Sequence, residues 1–161
     1  MTTEEYDVIV VGSGAAGMVA ALTAAHQGLS AVVIEKAAHF GGSTARSGGG
    51  VWIPNNEILK RDGVTDTADA ARTYLHTIIG DVVAPERIDT YLDRAPEMLS
   101  FVLQNTPLEM CWVPGYSDYY PETPGGRPGG RSIEPKPFDA KKLGPDMAGL
   151  EPAYGLSLIH I

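Results

Sequence analysis

An α/β fold, with a parallel sheet sandwiched between helices, is predicted for this chain by three observations in residues 6–36. Tyr6-Asp7-Val8-Ile9-Val10-Val11 is a short β-branched run, which suits a buried strand. It enters Gly12-Ser13-Gly14-Ala15-Ala16-Gly17, a G-x-G-x-x-G turn, and then an alanine-rich helix from Ala15 to Gln27 that Gly28 ends. Ala31-Val32-Val33-Ile34 supplies the next strand, and Glu35 closes it. Strand, glycine turn, helix, strand and acid in this order make the opening unit of a doubly wound, Rossmann-like sheet.

Each glycine has a mechanical task. Gly12 makes the tight turn, Gly14 lets backbone approach a pyrophosphate, and Gly17 lets the helix pack on the strand. The diphosphate of a dinucleotide is expected at the helix N-terminus, where free N–H groups and the macrodipole favour negative charge. Glu35 is placed to accept hydrogen bonds from the adenosine ribose, and its carboxylate disfavours a 2′-phosphate, so NADP is not expected. The bland alternative is a structural strand–helix turn that happens to be rich in glycine.

Beyond Glu35, the stretch from Phe40 to Gly50 reads as a glycine- and serine-rich loop. Val51-Trp52-Ile53-Pro54 reads as a brief extended piece. Thr67 to Ile79 has helical periodicity, with Thr67 as N-cap and Ala68, Ala71, Tyr74, Leu75 and Ile78 near one face. Pro85 suits the first turn of a further helix with Ile88, Leu92, Met98, Leu99, Val102 and Leu103 on its apolar side. Pro96 is expected to kink or divide that helix near Arg94–Ala95. Glu109 to Val113 reads as a strand. From Pro114 to Pro137 the density of proline and glycine predicts a long loop without regular structure, carrying Tyr116, Tyr119, Tyr120, Arg127 and Arg131. The sheet is therefore incomplete, two parallel strands followed by a helical and irregular C-terminal part, and no composition shift marks a second domain.

A length of 161 residues, 43% hydrophobic residues and a mean hydropathy of −0.06 describe a soluble globular chain. The net charge of −8 argues against nucleic acid and anionic membrane surfaces as partners. Cys111 is the one cysteine, so no internal disulfide forms and a reducing compartment, the cytoplasm, is expected. The acidic start Met1-Thr2-Thr3-Glu4-Glu5 does not read as a signal peptide, and no apolar run is long enough to span a bilayer. His26, His39, His76 and His160 have no metal-ligand spacing, so no metal is expected. Ser43 and Ser47 lack a nucleophile elbow, and Asp66, Asp69, Glu86, Asp89 and Asp93 read as solvated or first-turn charges.

The segment Gly41-Gly42-Ser43-Thr44-Ala45-Arg46-Ser47-Gly48-Gly49-Gly50 carries the second signal. Paired glycines and hydroxyls supply many exposed N–H donors and tolerate positive φ, which suits a second phosphate or the edge of an isoalloxazine. A plain nicotinamide-binding domain has no need of such a loop directly after its ribose acid, so FAD is favoured over a flexible-linker reading.

These residues resemble a known family. Gly12–Gly17, Glu35-Lys36, Gly41–Thr44 and Ser47–Gly50 look like the fumarate reductase/succinate dehydrogenase flavoprotein superfamily. Residues 43–54, Ala71-Arg72-Thr73-Tyr74-Leu75, residues 112–120 and Gly130-Arg131-Ser132-Ile133-Glu134-Pro135 are similar to its 3-ketosteroid Δ1-dehydrogenase branch. The resemblance implies an FAD enzyme that introduces a C1–C2 double bond into a 3-ketosteroid, with proton loss from C2 and hydride transfer from C1 to flavin N5. It assigns cofactor contacts to Gly12, Ser13, Gly14, Ala15, Ala16, Gly17, Glu35, Lys36, Gly42, Ser43, Thr44, Ser47, Gly48, Gly49 and Gly50. Ser43 stands where covalent members carry their flavin-linking histidine, so the FAD is expected to be non-covalent.

Tyr119 matches the tyrosine that supports the proton-accepting tyrosine of that branch. On its residues alone it reads as an aromatic packing a loop onto the core. Tyr116 and Tyr120 read as packing or pocket-wall residues, and Arg127 and Arg131 as solvated loop charges. The proton-accepting tyrosine and the grip on the C3 oxygen have no counterpart here, so residues 1–155 read as the N-terminal part of an FAD-binding domain, inactive alone. Residues 156–161, Leu-Ser-Leu-Ile-His-Ile, match the translation of a common sequencing adapter and are expected to be a non-native tail. The rival readings are another fumarate-reductase-like or Δ4-ketosteroid flavoprotein, and a bare nucleotide-binding fragment. The electron acceptor is not legible.

Overall fold

Two compact units make up the computed structural model of the chain, which describes residues 3–152. The first takes its described residues from 3–49 and 137–152, and the second is Gly50–Lys136. The expected adapter tail at 156–161 lies outside the described residues.

In the first unit, strand β1 (Val8–Val11) pairs in parallel with β2 (Ala31–Ile34), Val8 opposite Ala31 and Val11 opposite Ile34. Helix α1 (Ala15–His26) makes the crossover between them. Gly28 takes a left-handed φ of 80° just past its end, as a helix stop requires. At the strand entrances, Ser30 donates through its amide and hydroxyl to Asp7 Oδ2 (2.8 and 2.7 Å), and the Asp7 amide donates to Ser30 Oγ (3.0 Å). Residues 140–149 form two short 3₁₀ turns split at Gly144, and the chain then bonds to Phe40, which donates to Gly149 O (2.8 Å) and accepts from the Glu151 amide (2.7 Å).

The expected loop from Phe40 to Gly50 needs one correction, because residues Gly42–Arg46 form a short helix, α2. Gly41, at φ 106°, turns the chain, and the Ala45 amide then reaches back to Gly41 O (3.2 Å). The residues Ser43-Thr44-Ala45-Arg46 are all acceptable in a helix once that turn has been made.

The second unit contains β3 (Val51–Trp52), α3 (Glu57–Arg61), α4 (Ala68–Ile79), α5 (Pro85–Asn105), β4 (Met110–Trp112) and β5 (Ser132–Pro135). Its sheet is antiparallel in the order β3-β5-β4. Ile53, Ile58, Leu59, Val64, Ala95, Leu99, Met110 and Ile133 form its main core, and Ala71, Ile88 and Leu92 a second cluster. Asn56, fully buried, caps α3 by accepting from the Ile58 and Leu59 amides (2.8 and 3.0 Å). Thr67 caps α4 as expected, with its hydroxyl accepting from Ala70 N (3.1 Å).

Two further expectations are corrected in part here. Pro96 does not divide its helix, because α5 runs on through it. Leu92, Ala95 and Leu99 are buried on either side of the proline, so packing keeps the helix continuous across one missing N–H donor. The long loop is not wholly irregular, since β5 emerges from it as the central strand. Ile133, fully buried opposite both Val51 and Trp112, drives that pairing, and Pro135 sits at its last position where a lost donor costs least.

No helix among the described residues is long and apolar enough to cross a membrane. The parallel pair leaves apolar side chains uncovered, with Ile9 62%, Val11 80% and Ile34 49% exposed, and Met18 on α1 is 51% exposed. Such a patch on two short strands associates readily in water. The isolated chain is therefore expected to self-associate at micromolar concentration, measured by light scattering. A monodisperse monomer would contradict this.

Candidate functional site

The glycine turn between β1 and α1 has the conformation its sequence demands. Gly12 adopts φ 97°, a left-handed value that other residues avoid, while its amide extends the sheet ladder to Ile34 O (2.8 Å). A Cβ on Gly17 would lie 1.9 Å from Gly12 O and 3.2 Å from Val10 Cγ1, so only glycine lets α1 approach the strand this closely. Gly14 is different, because an added Cβ there would meet only Thr44 Oγ1, at 3.7 Å. Its surroundings are open, as the approach of a ligand backbone requires.

Met18 is the first amide of α1 bonded back along the chain, to Gly14 O (3.0 Å). The amides of Ala15, Ala16 and Gly17 thus lie outside the helical ladder at its positive end. That of Ala15 donates to Thr44 Oγ1 (3.0 Å), a cap delivered from α2 that joins the two glycine-rich segments.

Glu35, one residue past β2, faces this turn. Its Oε2 accepts from the Ser13 amide (2.9 Å) and hydroxyl (2.6 Å), and its Oε1 from the Ala37 amide (2.9 Å). Ser13 Oγ in turn accepts from the Gly41 amide (2.8 Å). The Ala37 amide, followed by the Ser13 hydroxyl and amide, holds the Glu35 carboxyl down from its ordinary 4.5 to about 2. The acid is therefore a fixed anion at neutral pH, aimed by the same serine that lines the turn.

The other predicted residues distribute as follows. Ser13, Gly14, Ala15, Glu35, Gly41 and Thr44 are brought together by the bonds just given. Ala16 and Gly17 lie in the first turn of α1, Gly42 and Ser43 open α2, and Lys36 is exposed beside Glu35. Ser47 Oγ donates to Thr44 O (2.9 Å) and accepts from the Gly49 amide (3.1 Å), with Gly48 in open space between them. Gly50 and Tyr119 belong to the second unit, where Tyr119 is 86% exposed. Tyr116 and Tyr120 are also exposed rather than packed.

The reading of Arg131 and Asp66 as solvated charges is corrected. Arg131 is wholly buried; its Nε donates to Asp66 Oδ1 (3.0 Å), its Nη1 to Asp118 Oδ2 (2.6 Å) and its Nη2 to Gly125 O (2.6 Å). Its guanidinium also stacks near the rings of Trp52 and Tyr74, 5.7 and 5.6 Å from their centroids. The physical reason is mutual: two buried carboxylates and five donors in a planar fork satisfy one another where neither would be stable alone. Arg127 is half-buried, its guanidinium bonded to Thr65 O. No local pattern in the chain announces the cluster, because its acids lie 65 and 13 positions from the arginine.

Comparison with known proteins places this geometry. The chain matches the FAD binding domain family over residues 7–153 and belongs to it, which makes FAD its cofactor. It is 81% identical, over 96% of its length, to a 3-oxosteroid 1-dehydrogenase of Mycobacterium tuberculosis, and covers 28% of that protein. It is 44% identical over 91% of its length to a 4-oxocyclohex-2-ene-1-carboxylate 5-dehydrogenase of Sinomonas cyclohexanicum, covering 24% of it. The 3-ketosteroid Δ1-dehydrogenase of Sterolibacterium denitrificans, solved with 1,4-androstadiene-3,17-dione, superposes with a TM-score of 0.86 at 46% identity. That superposition takes in 94% of this chain and 27% of the other. The chain thus spans about a quarter of the length of these relatives.

Two outcomes test the cradle. Gly17→Ala in the full-length parent should lower the melting temperature by about 5 °C or more, or abolish soluble expression, whereas Gly129→Ala, where an added Cβ meets nothing within 4 Å, should leave it within about 1 °C. Because the folded carboxyl of Glu35 titrates below its unfolded value, its stabilising effect is complete above about pH 4.5 and is lost as pH falls towards 2. The stability gap between the parent and its Glu35→Gln variant should therefore close over that acid range and stay constant above it, as followed by chemical denaturation.

Proposed function

We propose that this chain is the N-terminal part of the FAD-binding domain of a dehydrogenase that introduces a C1–C2 double bond into 3-ketosteroids. The single observation that carries the reading of this chain is the Gly12–Gly17 turn closed on itself at Gly17 and open at Gly14, with an anchored carboxylate at Glu35. The 81% identity to a 3-oxosteroid 1-dehydrogenase supports the choice of substrate class.

The residues present fit the cofactor. The open face at Gly14 and the amides of Ala16 and Gly17 suit a diphosphate, and Ser13 and Ala15 frame it. Glu35, already ionised, retains acceptor capacity on its two oxygens for ribose hydroxyls, with Lys36 beside it. Gly42, Ser43, Thr44, Ser47, Gly48, Gly49 and Gly50 supply further amides and hydroxyls for the remainder of the molecule, and Ser43 offers no imidazole for a covalent link. When bound, FAD supplies the hydride acceptor for C1–H oxidation.

Loss of the C2 proton beside the C3 carbonyl leaves charge delocalised as an enolate, so a phenol is an adequate base if it is hydrogen-bonded in its ionised form. By resemblance Tyr119 provides that hydrogen bond, while the base and the grip on the C3 oxygen come from other parts of the parent enzyme. The same reading extends β1 and β2 into a doubly wound parallel sheet and places the enzyme in the cytoplasm, in keeping with the lone Cys111.

The test uses the full-length parent. It should purify yellow and oxidise 4-androstenedione, and Tyr119→Phe should lower kcat about 100-fold with the flavin retained. A colourless parent, or one active on fumarate and inert towards the steroid, would overturn the assignment.

A further inference from the structure

We propose that Asp118 and Arg131 are positioning residues that set the place of the Tyr119 hydroxyl, a role that rests on the reading of Tyr119 given above. Tyr119 itself is 86% exposed, so its location is imposed through its neighbours in the chain. Both neighbours are held. The Asp118 side chain accepts from Trp52 Nε1 (2.8 Å), the Arg127 amide (2.9 Å) and Arg131 Nη1 (2.6 Å), and its own amide donates to Arg127 O (3.1 Å). On the other side, the Tyr120 amide donates to the Tyr74 hydroxyl (3.2 Å), and Tyr120 O accepts from the Thr123 amide (3.1 Å) and hydroxyl (2.6 Å).

The two anchorages are joined, because the Arg131 guanidinium that grips Asp118 also lies 5.6 Å from the centre of the Tyr74 ring. Glycines bring the surrounding loop tight against them. A Cβ on Gly130 would stand 1.8 Å from Tyr116 O, and one on Gly126 would stand 2.6 Å from Tyr120 O.

Stability alone does not call for this arrangement. One guanidinium against two carboxylates, with side chains 0%, 1% and 0% exposed, carries a desolvation cost that apolar residues of similar volume would avoid. What the charged cluster supplies is directional bonding, and the bonds hold the residues on either side of Tyr119, the most exposed of the loop's phenols. A proton-transfer partner misplaced by about 1 Å costs on the order of 100-fold in rate.

A double-mutant cycle in the full-length parent separates positioning from mere support. Asp118→Asn should lower kcat ~10- to 100-fold with little change in KM. In the Tyr119→Phe background the same substitution should change kcat less than about 2-fold, since the group it positions is gone. Trp52→Phe, which removes one donor to Asp118 and keeps an aromatic ring, should show the same coupling at smaller amplitude and decides the matter if Asp118→Asn fails to fold. Losses that multiply in the cycle, after Tyr119→Phe alone has lowered kcat, would overturn the positioning role and leave the reading of Tyr119 standing. If Tyr119→Phe leaves kcat unchanged, both fall.

Discussion

The close approach of Gly17 to the Gly12 carbonyl is the constraint on which the first unit depends. With 1.9 Å between that oxygen and the place of a Cβ, the helix sits against the strand only because a side chain is missing. That contact brings the positive end of α1 to the mouth of the turn. It also puts Ser13 where its amide and hydroxyl meet Glu35, and Ala15 where its amide meets Thr44. The glycine turn, the acid after β2 and the start of α2 are thereby tied by side-chain bonds across 22 to 29 positions of sequence. An anion arriving there finds donors already oriented, and little ordering remains to oppose binding.

The second unit is organised on a different principle. Its apolar core of Leu59, Leu99, Met110 and Ile133 is ordinary, but beside it a buried arginine and two carboxylates stitch three distant stretches of chain. Asp66 additionally accepts from the Asn55 amide (2.9 Å), so the cluster also shapes the entry to α3, where Asn55 takes an unusual φ of 56°. Polar networks of this kind act as templates: a partly satisfied version is costly, which leaves one arrangement strongly preferred.

The opening βαβ unit was legible because each of its signals is local: β-branched runs, glycines at fixed offsets and a terminal acid. Thr67 and Pro85 marked helix starts for the same reason, a side chain acting on its own turn. What escaped was decided at long range. β5 carries Pro135 and follows a glycine-rich stretch, and its strand character comes from two partners at residues 51–52 and 110–112. Pro96 lacks a donor, yet the buried Leu92 and Leu99 outweigh that loss. Arg131 looks like any loop arginine until the fold brings Asp66 and Asp118 to it. Of the candidate site, the turn and Glu35 could be read from spacing, whereas the frame around Tyr119 could not.

The order in which the two units are encoded has a consequence for biosynthesis. Residues 50–136 are contiguous, so every segment of the antiparallel unit has been translated before Gly149 and Glu151, the partners of Phe40, leave the ribosome. The nascent chain thus completes its later-starting unit first, while the nucleotide cradle waits with one flank unsealed. Throughout that interval the apolar strands at the amino end are already out, open to chaperone engagement.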